Sequence, residues 1–299
     1  DLTGLEHCTG LTYLNFKYNQ ISNLSPLANL TNLVVLELHH NQLTQLDVLA
    51  GANLPSLELL SLQSNQISDL KGLANAKLPN LKALYLHDNQ LKDLSTLANV
   101  SLPSLELLSL PSNQLNNLTG LVTAKLPNLA RLYLNNNQLE DLSGLAKLGK
   151  LRELKLHNNQ ISDVSQLIGN TGRLGEINLK NNPLNSLALF THIPALKAGG
   201  IKVEYDMFDA IVVFKDPNLE KGIRDALGIP TGQLKRSDLA KLKKLYLSGQ
   251  EREISDLTGL EHSINLTTLQ IIDSQISDLS PLANLTNLTT LNLVRNQLK

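Results

Sequence analysis

Leucine recurs along most of the chain in one fixed pattern, L-x-x-L-x-L-x-x-N-x-L. Residues 81–91, LKALYLHDNQL, carry it whole. Leu84 and Leu86 alternate with Ala83, Tyr85 and His87, the period-two pattern of a strand buried on one side. Asn89 follows, and its carboxamide can satisfy backbone groups that leave the sheet ladder where the chain bends. One copy alone has nothing to bury its leucines against. Stacked copies do, so the pattern is stable only as an array.

The strand-ending position recurs as Asn19, Asn41, Asn65, Asn89, Asn113, Asn137, Asn159 and Asn182, spaced by 22, 24, 24, 24, 24, 22 and 23 residues. It returns as Ser274 and Asn296, 22 residues apart. This is the signature of a leucine-rich repeat. It predicts an α/β fold class: a curved solenoid with a parallel concave sheet, short helical or irregular segments behind it, a helical N-terminal cap and a short C-terminal cap. The 24-residue copies have longer connections, expected to spread the backs of the repeats and alter local curvature. Residues 54–101 and 102–149 resemble each other closely, a regularity that fits recent duplication or human design.

The pattern divides the chain into repeats at 1–182, a C-terminal cap at 183–206, a helical N-terminal cap at 207–253 and further repeats at 254–299. Within 207–253, Asp216 is placed to cap a helix opening at Pro217. Leu219, Ile223 and Leu227 share one face of it. A second short helix is expected over Ser237–Leu242, with Ser237 as its cap. An N-terminal cap directly after a C-terminal one is an unexpected order. Read from Lys299 onto Asp1, the chain continues in register: Asn296 and Asn19 stand 22 residues apart, the local period. Met207, the only methionine, opens the helical cap. A rotated residue order, a circular permutant and a stretch spanning two tandem arrays would each produce this, and the unlinked caps favour the first. If the order is real, the two bare ends imply head-to-tail self-association.

Composition narrows the function. The chain is 42% hydrophobic but 3% aromatic, without tryptophan, as a leucine-stacked array permits and an ordinary globular core does not. A net charge of -1 argues against a nucleic-acid binder or a basic membrane-surface protein. No apolar run reaches the length of about 20 residues that spans a bilayer. Cys8 is the sole cysteine, so there is no disulfide framework or zinc quartet. Alignment with Ser263 makes Cys8 a small buried filler. His39, His87 and His157 fall in one column. Strands two apart are separated by about 10 Å, too far for a shared zinc, and solvated surface histidines are expected. The segment GNTGRLG at 169–175 lacks the phosphate-loop pattern and reads as an inter-repeat turn. The N-x-S/T triplets at Asn29, Asn99, Asn265 and Asn287 arise from repeated phrases. No catalytic triad, metal set or cofactor loop emerges, so neither enzyme activity nor a cofactor is expected.

The 22-residue units, such as NQISDLSPLANLTNLTTLNL, resemble those of bacterial internalin-type leucine-rich-repeat proteins. FKDPNLEKGIRDALG resembles the helical cap that precedes such repeats. The 24-residue units depart from the internalin length. The resemblance implies a non-enzymatic scaffold that binds a protein partner on its concave sheet, with a bacterial surface or secreted location. Register identifies the outward side chains. In the 24-residue block they alternate by module, Leu59/Ala83/Leu107 and Ser61/Tyr85/Ser109/Tyr133, which reads as column packing. In the 22-residue copies they vary while the frame stays fixed. The expected partner-binding residues are therefore Tyr13, Lys17, Tyr18, Val35, Glu37, His39, Gln270, Ile272, Asn292, Val294 and Arg295, an apolar and aromatic centre with a charged rim. A scaffold designed only to set curvature, without a ligand, is the alternative.

Overall fold

A computed structural model describes residues 2–98, 100–170, 173–206, 209–249 and 253–298. Asp1, Asn99, Met207 and Lys299, on which the chain join, one glycosylation triplet and the start of the helical cap rest, lie outside the described residues, as do Thr171 and Gly172 of the glycine-containing turn. The chain forms two units, residues 1–184 with 192–206, and residues 185–191 with 207–299.

The first unit carries a nine-stranded parallel sheet in sequential order. Its strands are β1 (Tyr13–Asn15), β2 (Val35–Glu37), β3 (Leu59–Ser61), β4 (Ala83–Tyr85), β5 (Leu107–Ser109), β6 (Arg131–Tyr133), β7 (Glu153–Lys155) and β8 (Glu176–Asn178). Helix α1 (Ile193–Ala198) and β9 (Lys202–Glu204) follow. Each strand has three residues, one inward leucine between two outward side chains, and the second inward leucine, such as Leu86, lies just past the strand. Register runs unbroken, with Leu14, Leu36, Leu60, Leu84, Leu108, Leu132 and Leu154 as successive partners. Opposite the sheet, short 3₁₀ turns such as Ser25–Leu27, Lys71–Leu73 and Ser143–Leu145 return the chain. Between these two layers lies a core built almost wholly of leucine.

The asparagines tie each copy to the next. Asn41, Asn65, Asn89, Asn113, Asn137 and Asn159 are buried. Their Oδ1 atoms accept from the amides of Ile21, Leu43, Ile67, Leu91, Leu115 and Leu139 in the preceding copy, at 2.8–3.0 Å. The Nδ2 of Asn89 donates to the Leu62 and Leu86 carbonyls at 3.0 and 3.1 Å. The carboxamide thus replaces the ladder bonds that the bend removes. The 24-residue copies add a second line of pairing on the return side, where Asn53 bridges Lys77 and Ser101 bridges Lys125.

The second unit holds α2 (Pro217–Leu227), α3 (Arg236–Leu239) and a three-stranded parallel sheet of β10 (Lys244–Ser248), β11 (Thr268–Ile272) and β12 (Thr290–Asn292). Asp216 caps α2, accepting from the Asn218 and Leu219 amides, and its other oxygen accepts from the Ser255 amide at 2.8 Å. Leu219 and Ile223 join the leucines of β10 and β11 in the core. Helix α3 begins one residue earlier and ends three residues earlier than the expected Ser237–Leu242, and its cap is Lys235 rather than Ser237. The amide and hydroxyl of Ser237 both donate to Asp209, at 2.8 and 2.5 Å, so Asp238 takes over the start by accepting from the Lys235 amide.

Cys8 departs from its expected burial and is exposed, although its counterpart Ser263 is fully buried. The difference is one of neighbours. Ser263 lies in the copy behind β11, with β10 and β12 on either side, whereas Cys8 lies in the copy of β1, the outer strand of its sheet.

Candidate interaction face

The outward side chains of β1 to β9 form columns fixed by the register. One runs Tyr13, Val35, Leu59, Ala83, Leu107, Arg131, Glu153, Glu176 and Lys202. The next runs Asn15, Glu37, Ser61, Tyr85, Ser109, Tyr133, Lys155, Asn178 and Glu204. The far end pairs its own charges. Lys202 contacts Glu176 at 2.9 Å and Glu204 at 3.3 Å, and Lys155 sits 4.2 Å over the Tyr133 ring. In the middle, Ser61, Leu107 and Ser109 are buried, consistent with packing between columns. The outward side chains near β1 remain accessible, with Tyr13 52% and Tyr18 69% exposed.

Tyr18 belongs to a set that the leucine spacing does not reveal. The residue just before each strand-ending Asn or Ser has a positive φ of 53–58°: Tyr18, His40, Ser64, Asp88, Ser112, Asn136, Asn158, Asn181, Asp273 and Arg295. Side chains other than Asn and Asp rarely take this conformation. In the 24-residue copies the position is filled by Ser, Asp or Asn. In the copies of β1, β2 and β12 it holds Tyr, His and Arg. Their amides are held by the next repeat, Tyr18 on the His39 carbonyl and His40 on the Gln63 carbonyl, at 3.0 and 3.1 Å.

The outcome is an aromatic cluster. Tyr18 stacks on His40 with centroids 4.4 Å apart and meets the edge of His39 at 5.6 Å. His39 shares a hydrogen bond with the Ser61 hydroxyl at 3.2 Å. Tyr13 donates its hydroxyl to Glu37 at 3.2 Å and accepts from the Asn15 amide at 3.1 Å. A depression of about 280 Å³ beside this cluster is lined by His39, Leu59, Tyr85 and His87.

The eleven expected residues fall into two groups. Tyr13, Lys17, Tyr18, Val35, Glu37 and His39 lie on or just past β1 and β2 of the first unit. Gln270, Ile272, Asn292, Val294 and Arg295 lie on or just past β11 and β12 of the second. Val35, Glu37, His39, Gln270, Ile272 and Asn292 are only partly exposed. Val294 is 58% exposed, and Arg295 pairs with Asp273 at 3.1 Å. The histidines differ from the solvated surface groups expected. Burial holds His39, His87 and His157 below the usual imidazole range, because the column neighbours crowd them. Among the described residues no group of three His, Cys, Asp or Glu side chains could hold a metal, and no helix is long and apolar enough to cross a membrane.

Family models for leucine-rich repeats match residues 9–51 and 55–99, described as "Leucine Rich repeats (2 copies)", and residues 103–161, described as "Leucine rich repeat". This chain is a leucine-rich-repeat protein. Its fold is internalin-like. An internalin (inlF) from Listeria monocytogenes is similar with a TM-score of 0.57 and 28% identity, over 97% of this chain and 82% of that one. A second Listeria monocytogenes protein, internalin C2, is 39% identical over 60% of this chain and 73% of its own, with a TM-score of 0.49. A leucine-rich-repeat protein from Leptospira interrogans shares the fold at 22% identity, with a TM-score of 0.56 over 99% of this chain and 63% of its own. A search of curated proteins returned no match. These similarities lend no support to a designed origin. Leucine-rich-repeat folds of this type serve as protein-interaction scaffolds and are generally non-enzymatic.

Proposed function

We propose that this leucine-rich-repeat chain binds a protein partner on the concave sheet, without catalysis and without a cofactor. The observation that carries the reading is the Tyr18–His40 stack, an exposed aromatic pair on two positions of positive φ. Rigid aromatics lose little entropy on binding and dominate interface energetics. Glu37 orients Tyr13 through its hydroxyl, and Lys17 supplies charge at the rim. Val35 and the neighbouring Leu59 offer apolar area beside them. Gln270, Ile272, Asn292, Val294 and Arg295 offer a separate candidate surface on the sheet of the second unit.

The test is affinity capture on the immobilised full chain from a partner-bearing extract, compared with Tyr13→Ala, Tyr18→Ala and Val294→Ala. A protein retained by the parent chain and lost from the Tyr18 variant supports the proposal. Undiminished capture by all three variants would sink it.

A further inference from the structure

The outward columns of the first sheet dip at Ser61. Its side chain is short and buried, 4% exposed, and stands between Glu37 on β2 and Tyr85 on β4 in the register. His39 and His87 lie just past those two strands. Together these side chains line the depression of about 280 Å³. It sits inside the sheet, since β3 has a strand on each side.

Its hydrogen bonds run in one direction. An amide oxygen only accepts, so the Ser61 hydroxyl donates to Gln63 Oε1 at 2.7 Å. The Ser61 oxygen then receives Nδ1–H of His39 at 3.2 Å. That fixes the tautomer: neutral His39 carries its proton on Nδ1 and leaves Nε2 as a bare acceptor. An ionised carboxylate accepts about four bonds, and the Tyr13 hydroxyl gives Glu37 one of them, at 3.2 Å. With the imidazoles neutral, the charges around the depression are Glu37 and Asp88 against Lys17, two negative and one positive.

We infer that this depression receives an arginine side chain of the protein partner, its guanidinium donating to His39 Nε2 and Glu37 and stacking on Tyr85, and that acid expels it by protonating His39 and His87. The arginine as occupant rests on the partner-binding reading and makes it more specific. A guanidinium has five donors and no acceptor, which suits a site built of acceptors, and it stacks on aromatic rings. A carboxylate would meet Glu37 and Asp88 and find no donor on His39 Nε2. A lysine ammonium is a compact point charge and gains less from the ring.

Acid reverses the site. Protonation turns His39 Nε2 into a donor, and His87 adds a second positive charge. His40 and Lys17 push in the same direction, while Glu37 and Asp88 oppose it. Tyr18, at the edge of His39, and Tyr85 are the phenols packed against these groups and add no charge. Burial holds both imidazoles below the usual value, near 6.5, so the site is in its accepting form at neutral pH and changes in more acidic solution.

Nuclear magnetic resonance of the imidazole carbons of the full 299-residue chain tests this. N-acetylarginine methylamide at millimolar concentration should shift the His39 and His87 signals saturably at pH 7.5. The citrulline analogue, of similar shape without the charge, should not. Affinity should fall about tenfold for each pH unit below the imidazole values, with the leucine methyl signals reporting an intact fold. Glu37→Gln should weaken binding at every pH, and His39→Gln, which accepts without titrating, should make the profile shallower. Equal shifts from citrulline, an affinity unchanged between pH 7.5 and 5, or no shift at all would overturn the inference. A partner captured through Tyr18 with no arginine response removes this inference alone and leaves the partner-binding reading intact. Undiminished capture by all three capture variants beside a normal arginine response defeats that reading while supporting the chemistry of the site.

Discussion

The Asn89 carboxamide oxygen accepts the Ile67 amide at 3.0 Å, joining a residue of one repeat to the turn of the repeat before it. Its nitrogen reaches the Leu62 and Leu86 carbonyls as well. Asn89→Ala therefore strands the buried Ile67 amide, while the Leu62 and Leu86 carbonyls keep Asn65 and Asn113 as donors. An unsatisfied buried group costs about 1–3 kcal/mol, so the variant should lose at least that much in urea unfolding. Asn19→Ala, on the outer copy, bonds only within its own turn and should be close to neutral.

Gly120 sets how closely two repeats approach. A Cβ built there would land on the Leu94 carbonyl oxygen. Gly120→Ala must push the turns apart, and overpacking of this kind costs about 1–3 kcal/mol. Gly149 meets nothing within 4 Å. Gly149→Ala should leave the melting temperature unchanged or slightly raised, and calorimetry on the pair separates a steric effect from a general intolerance of substitution.

Acid should weaken the fold in two stages. Burial lowers the His39, His87 and His157 values in the folded state, so the unfolded chain takes up protons first. The stability they contribute is complete above the ordinary imidazole value, near 6.5. It declines as pH falls below that, until the folded imidazoles protonate too. Carboxylates follow at lower pH. Burial raises Asp216, but hydrogen bonds from Ser255, Leu219 and Asn218 outweigh it and hold the value low, so its contribution disappears as pH falls through the carboxylate range. Urea midpoints measured from pH 8 to 5 should show the first decline, and His87→Gln should make it shallower.

Tyr18→Asn separates binding from stability. Asn tolerates a positive φ where Tyr is strained, a difference of about 1 kcal/mol, while the stack on His40 disappears. Thermal unfolding should be unchanged or improved, and partner capture should fall. A variant that loses both properties together would make Tyr18 a structural residue.

The leucine spacing made the solenoid legible, since Leu84 and Leu86 can point only inward and Asn89 can only bend the chain. The Asp216 cap was legible for a similar reason, as a short-range rule settled by its own neighbours. What escaped depends on contacts that spacing does not encode. Cys8 and Ser263 each follow the phrase GLEH, yet exposure follows from which strand lies alongside. The crowding of His39, His87 and His157 comes from column neighbours on adjacent strands. The Tyr18–His40 stack arises from a backbone conformation shared by ten positions. Large residues just before the strand-ending Asn were its available signal, visible in FKYN and LHHN.

The bridges from Asn53 to Lys77 and from Ser101 to Lys125 give the 24-residue copies a second line of backbone pairing that is not found in the 22-residue copies among the described residues. Under a pulling force the two kinds of copy should part differently. A single line of bonds peels one at a time, while two lines on opposite sides share the load. Stretched end to end, the chain should release its 22-residue copies at low force and hold the central block to the last.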